Sequence, residues 1–204
     1  MLEALLSFSL ATVVLAFSPG PDNIYVLTQS LAHGSKSGVA TTAGLISGCV
    51  VHTALLAFGI SALITASPSL FFIIKCVGAT YLLYLAYKIF RADASIQLGT
   101  DSSQKKSNWN YFKIGVFMNL VNPKVMLFFI AFFPAFLWNP SEGTALQFFI
   151  LGGVFMVVSF LVFSSIALLA GSISKYLKSN KQVGVVLKWL QIIVFVGIAI
   201  FIFL

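Results

Sequence analysis

Ser18-Pro19-Gly20-Pro21-Asp22-Asn23 interrupts an apolar run that covers residues 2–17 and resumes through 24–32. Two prolines and a glycine prevent continuous helical hydrogen bonding, so a helix through this stretch must break there. A second interruption, Asn119-Leu120-Val121-Asn122-Pro123-Lys124, falls inside the apolar run at 114–137. Each break carries one charge, Asp22 in the first and Lys124 in the second, of opposite sign. Counted back from His33, Asp22 lies about 11 residues deep, or roughly 16 Å at about 1.5 Å per residue. Lys124 lies equally far from Lys113, so the two breaks share a depth near the middle of an apolar slab.

Outward from these breaks, further apolar runs cover about 38–65, 69–90, 145–171 and 185–204. Of the 204 residues, 59% are hydrophobic and 8% charged, against roughly a quarter charged in a soluble domain. A water-facing surface cannot be built from that composition. Six helices of about 20 residues, each able to cross roughly 30 Å of hydrocarbon, would use about 120 residues and leave only short loops. The sequence therefore predicts an all-α membrane protein with six transmembrane helices, the first and fourth broken. The longest polar stretch, about 91–113, divides a first repeat (about 1–90) from a second (about 114–204) within a single transmembrane domain, 1–204. Three spans per half force the halves into opposite orientations, the topology of an inverted repeat.

Lys36, then Lys88, Arg91, Lys105, Lys106 and Lys113, then Lys175, Lys178, Lys181 and Lys188 all fall in loops on one side. The loops on the other side carry none. The positive-inside rule places the 91–113 linker in the cytoplasm and both termini outside. The N-terminal stretch has Glu3 and no basic residue, so it reads as a retained first span rather than a cleaved signal. The net charge of +7 is explained by topology; no patterned basic face or nucleic-acid motif accompanies it, so nucleic acid is not expected as a partner. Cys49 and Cys76 lie in apolar runs without metal-ligand spacing and read as buried small hydrophobes.

Paired interruptions in corresponding spans of two inverted halves point to a transporter's central binding site. Capping offers a structural alternative: Pro123 suits the first position of a half-helix with Asn122 as its N-cap, and Asp22 or Asn23 can cap the half-helix running to about Leu31. Capping explains an Asn or Ser there. A charge near the bilayer centre, however, costs at least ~2.5 kcal/mol, which favours function for Asp22 and Lys124. Both second half-helices would direct amides and positive dipole ends at the midplane, favouring a carboxylate. Asp22 would then accept from an ammonium, so Asp22, Asn23, Asn122 and Lys124 form a candidate zwitterion site, with Pro19, Gly20, Pro21 and Pro123 as the helix-breaking residues. Asp22 can also couple transport to protons, with His52 in the second span as an alternative relay or a satisfied polar residue. Lys75 can snorkel. Gly44 and Gly48 read as helix packing, as does the Tyr81, Tyr84 and Tyr87 series.

Four ordered motifs carry a family resemblance: Ser18 to Asn23; Gly34 to Gly38 followed by Gly44, Gly48 and His52; Gly78-Ala79-Thr80-Tyr81-Leu82-Leu83-Tyr84-Leu85; and Asn122-Pro123-Lys124. Over nearly its whole length the chain resembles the lysine exporter / homoserine-threonine resistance (LysE/RhtB) superfamily of bacterial amino-acid exporters. Ser18 stands where many relatives carry Gly or Thr, and Thr80 where Ala is common. The resemblance implies a multi-pass protein of the bacterial inner membrane that moves amino acids outward by exchange with protons and carries no cofactor. One acidic and one basic intramembrane charge suit a neutral substrate such as threonine or homoserine better than a dication. A related branch handles cadmium, but a metal exporter should gather several Cys, His or carboxylate ligands at one depth; only Cys49, His52 and Asp22 offer themselves. No nucleophile–base pair or cofactor motif supports an enzyme. The expected partners are an amino-acid substrate, protons and the lipid bilayer, and the sequence leaves a homodimer open.

Overall fold

A computed structural model describes residues 1–18, 20–93, 104–179 and 182–203. Pro19 lies outside these residues. So do the side chains of Pro123 and Lys124, whose backbone is described. Among the described residues the secondary structure is helical throughout, with no strand.

The predicted first break is present. Helix α1 (Leu2–Phe17) and α2 (Pro21–His33) meet at 58°. Gly20 is the N-cap of α2 and Pro21 its first residue, which corrects the expectation that Asp22 or Asn23 caps this half-helix. The reason is Pro21: its missing N–H and fixed φ suit it to the first helical position, so the cap is the residue before it. Gly34, at φ 93°, turns α2 into α3 (Ser35–Leu55), a backbone conformation that favours glycine. One π turn (Leu56–Ile60) and α4 (Ser61–Ala66) extend α3, and α5 follows (Pro68–Arg91).

The second break is also present. Helix α6 (Asn108–Val121) stops at Asn122, whose backbone is extended, and α7 (Pro123–Phe132) restarts at the proline. The Asn122 carbonyl accepts from Val125 N–H at 3.1 Å and Met126 N–H at 3.3 Å, the backbone role expected of an N-cap. A 3-10 turn (Phe133–Phe136) leads to α8 (Thr144–Leu168), α9 (Ala170–Ser179) and α10 (Gln182–Phe201). Among the described residues four helices are individually long and apolar enough to cross a bilayer, and the bent α1–α2 pair makes a fifth candidate span. Helices α6 and α7, of 14 and 10 residues, are each too short alone.

α3 packs along α6 and α8, α5 along α10 and α7, and α1 along α8. The close α3–α6 approach depends on small residues: a Cβ at Gly44 would fall on the Phe112 carbonyl, and one at Gly115 on the Thr41 carbonyl. Phe8, Phe128, Phe129, Phe132, Phe133 and Phe136 interlock into an aromatic core that fixes α7 against α1. The outer faces remain apolar and exposed, as at Phe72, Ile73 and Val77 on α5 and Ile193 and Ile200 on α10. Such a surface suits lipid rather than water.

Contacts define two ends of the bundle. At one, the His33 and Tyr111 rings lie 5.8 Å apart and Lys188 Nζ donates to the Ala92 carbonyl at 2.6 Å. At the other, the Ser61 and Thr144 hydroxyls hydrogen-bond, and Phe136 stands against both Phe8 and Phe201. There the buried Gln147 side chain clasps the 138–142 loop, accepting from the Trp138 and Asn139 amides and donating to the Asn139 and Glu142 carbonyls.

Candidate functional site

A broken helix frees backbone carbonyls that need donors, and lipid offers none. At the first break, the chain bends before Gly20 can bond back to Ala16, and Asn23 Nδ2 donates to the Ala16 carbonyl at 2.7 Å. At the second, Pro123 has no N–H to give the Asn119 carbonyl. Asn122 N–H donates to it at 3.2 Å and His52 Nε2 at 3.3 Å. A carbonyl only accepts, so His52 Nε2 carries the proton and Nδ1 is left as an acceptor. That Nδ1 is buried without a partner among the described residues. The His52 ring rests on Phe129, 5.4 Å between centroids.

The two breaks meet. Asn122 Nδ2 stands 3.5 Å from Asp22 Oδ1, a long hydrogen bond linking residues a hundred positions apart in the chain. Between the breaks lies a cavity of about 100 Å³ walled by Asp22, Asn23, Asn119 and Asn122 from the breaks, Leu45 and Cys49 from α3, and Phe155, Ser159 and Phe163 from α8. Its lining also includes Ser18, Gly20 and Pro21. Helices α2 and α7 both begin beside this cavity, so two sets of N-terminal amides and positive dipole ends belong to its surroundings. Asp22, in the first turn of α2, is placed where a negative charge is favoured.

Of the residues predicted for substrate binding, Asp22, Asn23 and Asn122 therefore converge on one cavity. Lys124 is the second residue of α7, beside the cavity, with its side chain outside what is described. His52 is not among the cavity's lining residues; it stands behind Asn119, whose Nδ2 donates to Cys49 Sγ at 3.6 Å. Sequence reading missed Asn119 and Ser159 as cavity residues. Asn119 carried a usable signal, since it is the residue four before Pro123 whose carbonyl the proline leaves free. Ser159 carried none, lying in an unbroken apolar helix.

The remaining candidates sit apart from the cavity. Lys75 Nζ lies over the Phe71 ring at 5.0 Å. Gly48 faces the Asn119 side chain, which occupies the space a Cβ would need. Tyr84 and Tyr87 are exposed on α5, so these two do not serve packing within the chain as expected, whereas Tyr81 is half-buried. Cys49 and Cys76 are free thiols. Among the described residues no three His, Cys, Asp or Glu side chains gather as a metal site.

The chain is 36% identical over 176 residues to the homoserine/homoserine lactone efflux protein of Salmonella typhimurium, covering 86% of this chain and 84% of that protein. It is 31% identical over 194 residues to the leucine efflux protein of Klebsiella pneumoniae, covering 95% and 92%. No solved structure gives a significant match. The LysE type translocator family matches residues 13–204, which hold both breaks and every wall of the cavity; the chain belongs to that family of translocators.

Proposed function

We propose that this protein is a secondary active exporter of amino acids, threonine- or homoserine-like ones foremost, which crosses the bacterial inner membrane six times and exchanges its substrate for protons. The carrying observation is the meeting of Asp22 and Asn122 from two separate helix breaks at one cavity. A zwitterion suits that arrangement: the N-terminal amides of α2 and α7 favour its carboxylate, and Asp22 accepts from its ammonium. Lys124 adds a cation for the carboxylate, and Asn23 and Asn122 supply amides. The names of the relatives, one an efflux protein for homoserine and its lactone and one for leucine, support amino-acid export. A cadmium-type exporter has no donor set to support it among the described residues.

The coupling follows from one carboxylate having two tasks. Charged Asp22 holds the ammonium as an ion pair; protonated Asp22 keeps only a neutral acceptor oxygen and holds it weakly. A proton taken from the outside releases the substrate there, and its loss to the cytoplasm readies the site for the next molecule. His52 is the second candidate for coupling, and its unpartnered Nδ1 would be the atom to take a proton. The packing supports an inverted repeat of two three-span halves in a single domain. If α1–α2 corresponds to α6–α7, α3 to α8 and α5 to α10, then α3 on α6 corresponds to α8 on α1. The α3–α8 and α5–α10 pairs map onto themselves. Export of labelled amino acids from cells stripped of their own exporters tests the reading: homoserine or threonine leaving against its gradient is expected, and failure of every amino acid to leave would refute it.

A further inference from the structure

Serine and threonine hydroxyls in apolar helices usually bond to the carbonyl four residues back, which removes the cost of an unpaired polar group. This chain does so repeatedly: Ser9 to Leu5, Thr12 to Phe8, Ser30 to Val26, Thr41 to Ser37, Ser47 to Ala43, Thr80 to Cys76 and Ser165 to Leu161. Ser159 does not, and neither do Thr42, Thr53 and Ser164, but of these four only Ser159 is a cavity residue. It is 2% exposed, lines the cavity, and its Oγ has no partner among the described residues. Ser18, 5% exposed at the end of α1, lines the same cavity, and its Oγ is likewise unpartnered. Around them the wall is apolar, formed by Phe128, Phe155, Phe163 and Phe195.

We propose that Ser159, assisted by Ser18, is the specificity-determining contact for the substrate's side chain and selects a short chain ending in a hydroxyl over an aliphatic one. This rests on the exporter reading and deepens it. Asp22, Asn122 and the N-terminal amides of α2 and α7 serve the ammonium and carboxylate that every amino acid has, so they cannot discriminate among side chains. The serine hydroxyls can both donate to and accept from a substrate hydroxyl. An aliphatic side chain would seal both hydroxyls in an apolar wall without partners, and a site built to hydrogen-bond a hydroxyl rejects the analogue lacking one.

The test reconstitutes purified protein in liposomes and measures transport of labelled homoserine and labelled leucine. The wild type should prefer homoserine. Ser159→Ala should lower the homoserine-to-leucine ratio of kcat/KM by roughly tenfold to a hundredfold, chiefly through homoserine, and Ser159→Thr, which keeps a hydroxyl, should restore much of it. Ser159→Cys, similar in size but a poor donor, should behave as the alanine variant and replaces it should the latter fail to insert. An unchanged ratio, or an equal fall for both substrates, would overturn the proposal while leaving an amino-acid exporter. Wild-type transport of leucine in preference to homoserine would do the same. Transport of neither by the wild type, confirmed with the full set of amino acids, would overturn the exporter reading and the subsite with it.

Discussion

Asn23 and His52 solve the same problem at two places: each gives a donor to a carbonyl that its helix can no longer serve. Asp22 has no such duty, because Gly20 holds the cap position, and that separation sharpens the coupling test. Asp22→Asn keeps size and polarity and leaves the cap untouched, so the protein should fold and insert. Gradient-driven export should fall to background in liposomes under an imposed pH difference; export at the wild-type rate would mean that Asp22 carries no coupling. His52 permits the complementary experiment. A glutamine can still donate to the Asn119 carbonyl but cannot take up a proton, so His52→Gln should retain export if the ring's task is the carbonyl. His52→Ala should lower stability by about 1–3 kcal/mol through the bond it removes, read as a fall in melting temperature in detergent. Loss of export in the glutamine variant with an unchanged melting temperature would instead assign the coupling to His52. The charge at Asp22 was visible in the sequence because apolar surroundings make any charge conspicuous. Ser159 was not, since its importance lies in a hydrogen bond it fails to make.

Proline governs both breaks, and one rule explains what was legible in each. A proline at the first helical position makes the preceding residue the cap. Applied at Pro123 the rule identifies Asn122; applied at Pro21 it identifies Gly20, where the backbone position set by the proline outranks the side-chain capping preference of Asp22 and Asn23. The pairing of α3 with α6 was legible only as a spacing of small residues, Gly44 and Gly48, since which helix approaches them depends on the whole fold. Their consequences now differ in a measurable way. A methyl at Gly44 would meet the Phe112 backbone, which cannot turn aside, whereas one at Gly153 would meet nothing within 4 Å. Gly44→Ala should therefore destabilise by about 1–3 kcal/mol or more, as overpacking does. Gly153→Ala should be neutral or slightly stabilising through helix propensity. Thermal denaturation of the two purified variants distinguishes them, and equal melting temperatures would contradict the close α3–α6 contact.

At the scale of the whole molecule, charge and packing give independent views of the same axis. The sequence sorts its basic loop residues onto one side, and the contacts bring the corresponding segments to one end of the bundle: His33 beside Tyr111, and Lys188 on the carbonyl of Ala92. Phe8 and Phe201 meet around Phe136 at the other end, where the 138–142 loop carries Glu142 and no lysine or arginine. Neither view alone fixes orientation. Packing is blind to which end faces the cytoplasm, and the charge count assumes that the segments alternate sides as the apolar runs suggest. Together they support the proposed six crossings, in which α6 and α7 jointly add a span to the four long helices and the α1–α2 pair found among the described residues. If α8 alone crossed between them, Ala92 and Lys188 would lie on opposite faces of the membrane, incompatible with the 2.6 Å contact. The expected outcome is therefore that alkaline phosphatase fused after Phe203 is active and a fluorescent protein fused there is dark, with the opposite pattern for fusions within 94–103. Bright fluorescent fusions both at the C-terminus and within 94–103 would leave α6–α7 as a re-entrant pair rather than a span and would contradict the contact of Lys188 with Ala92.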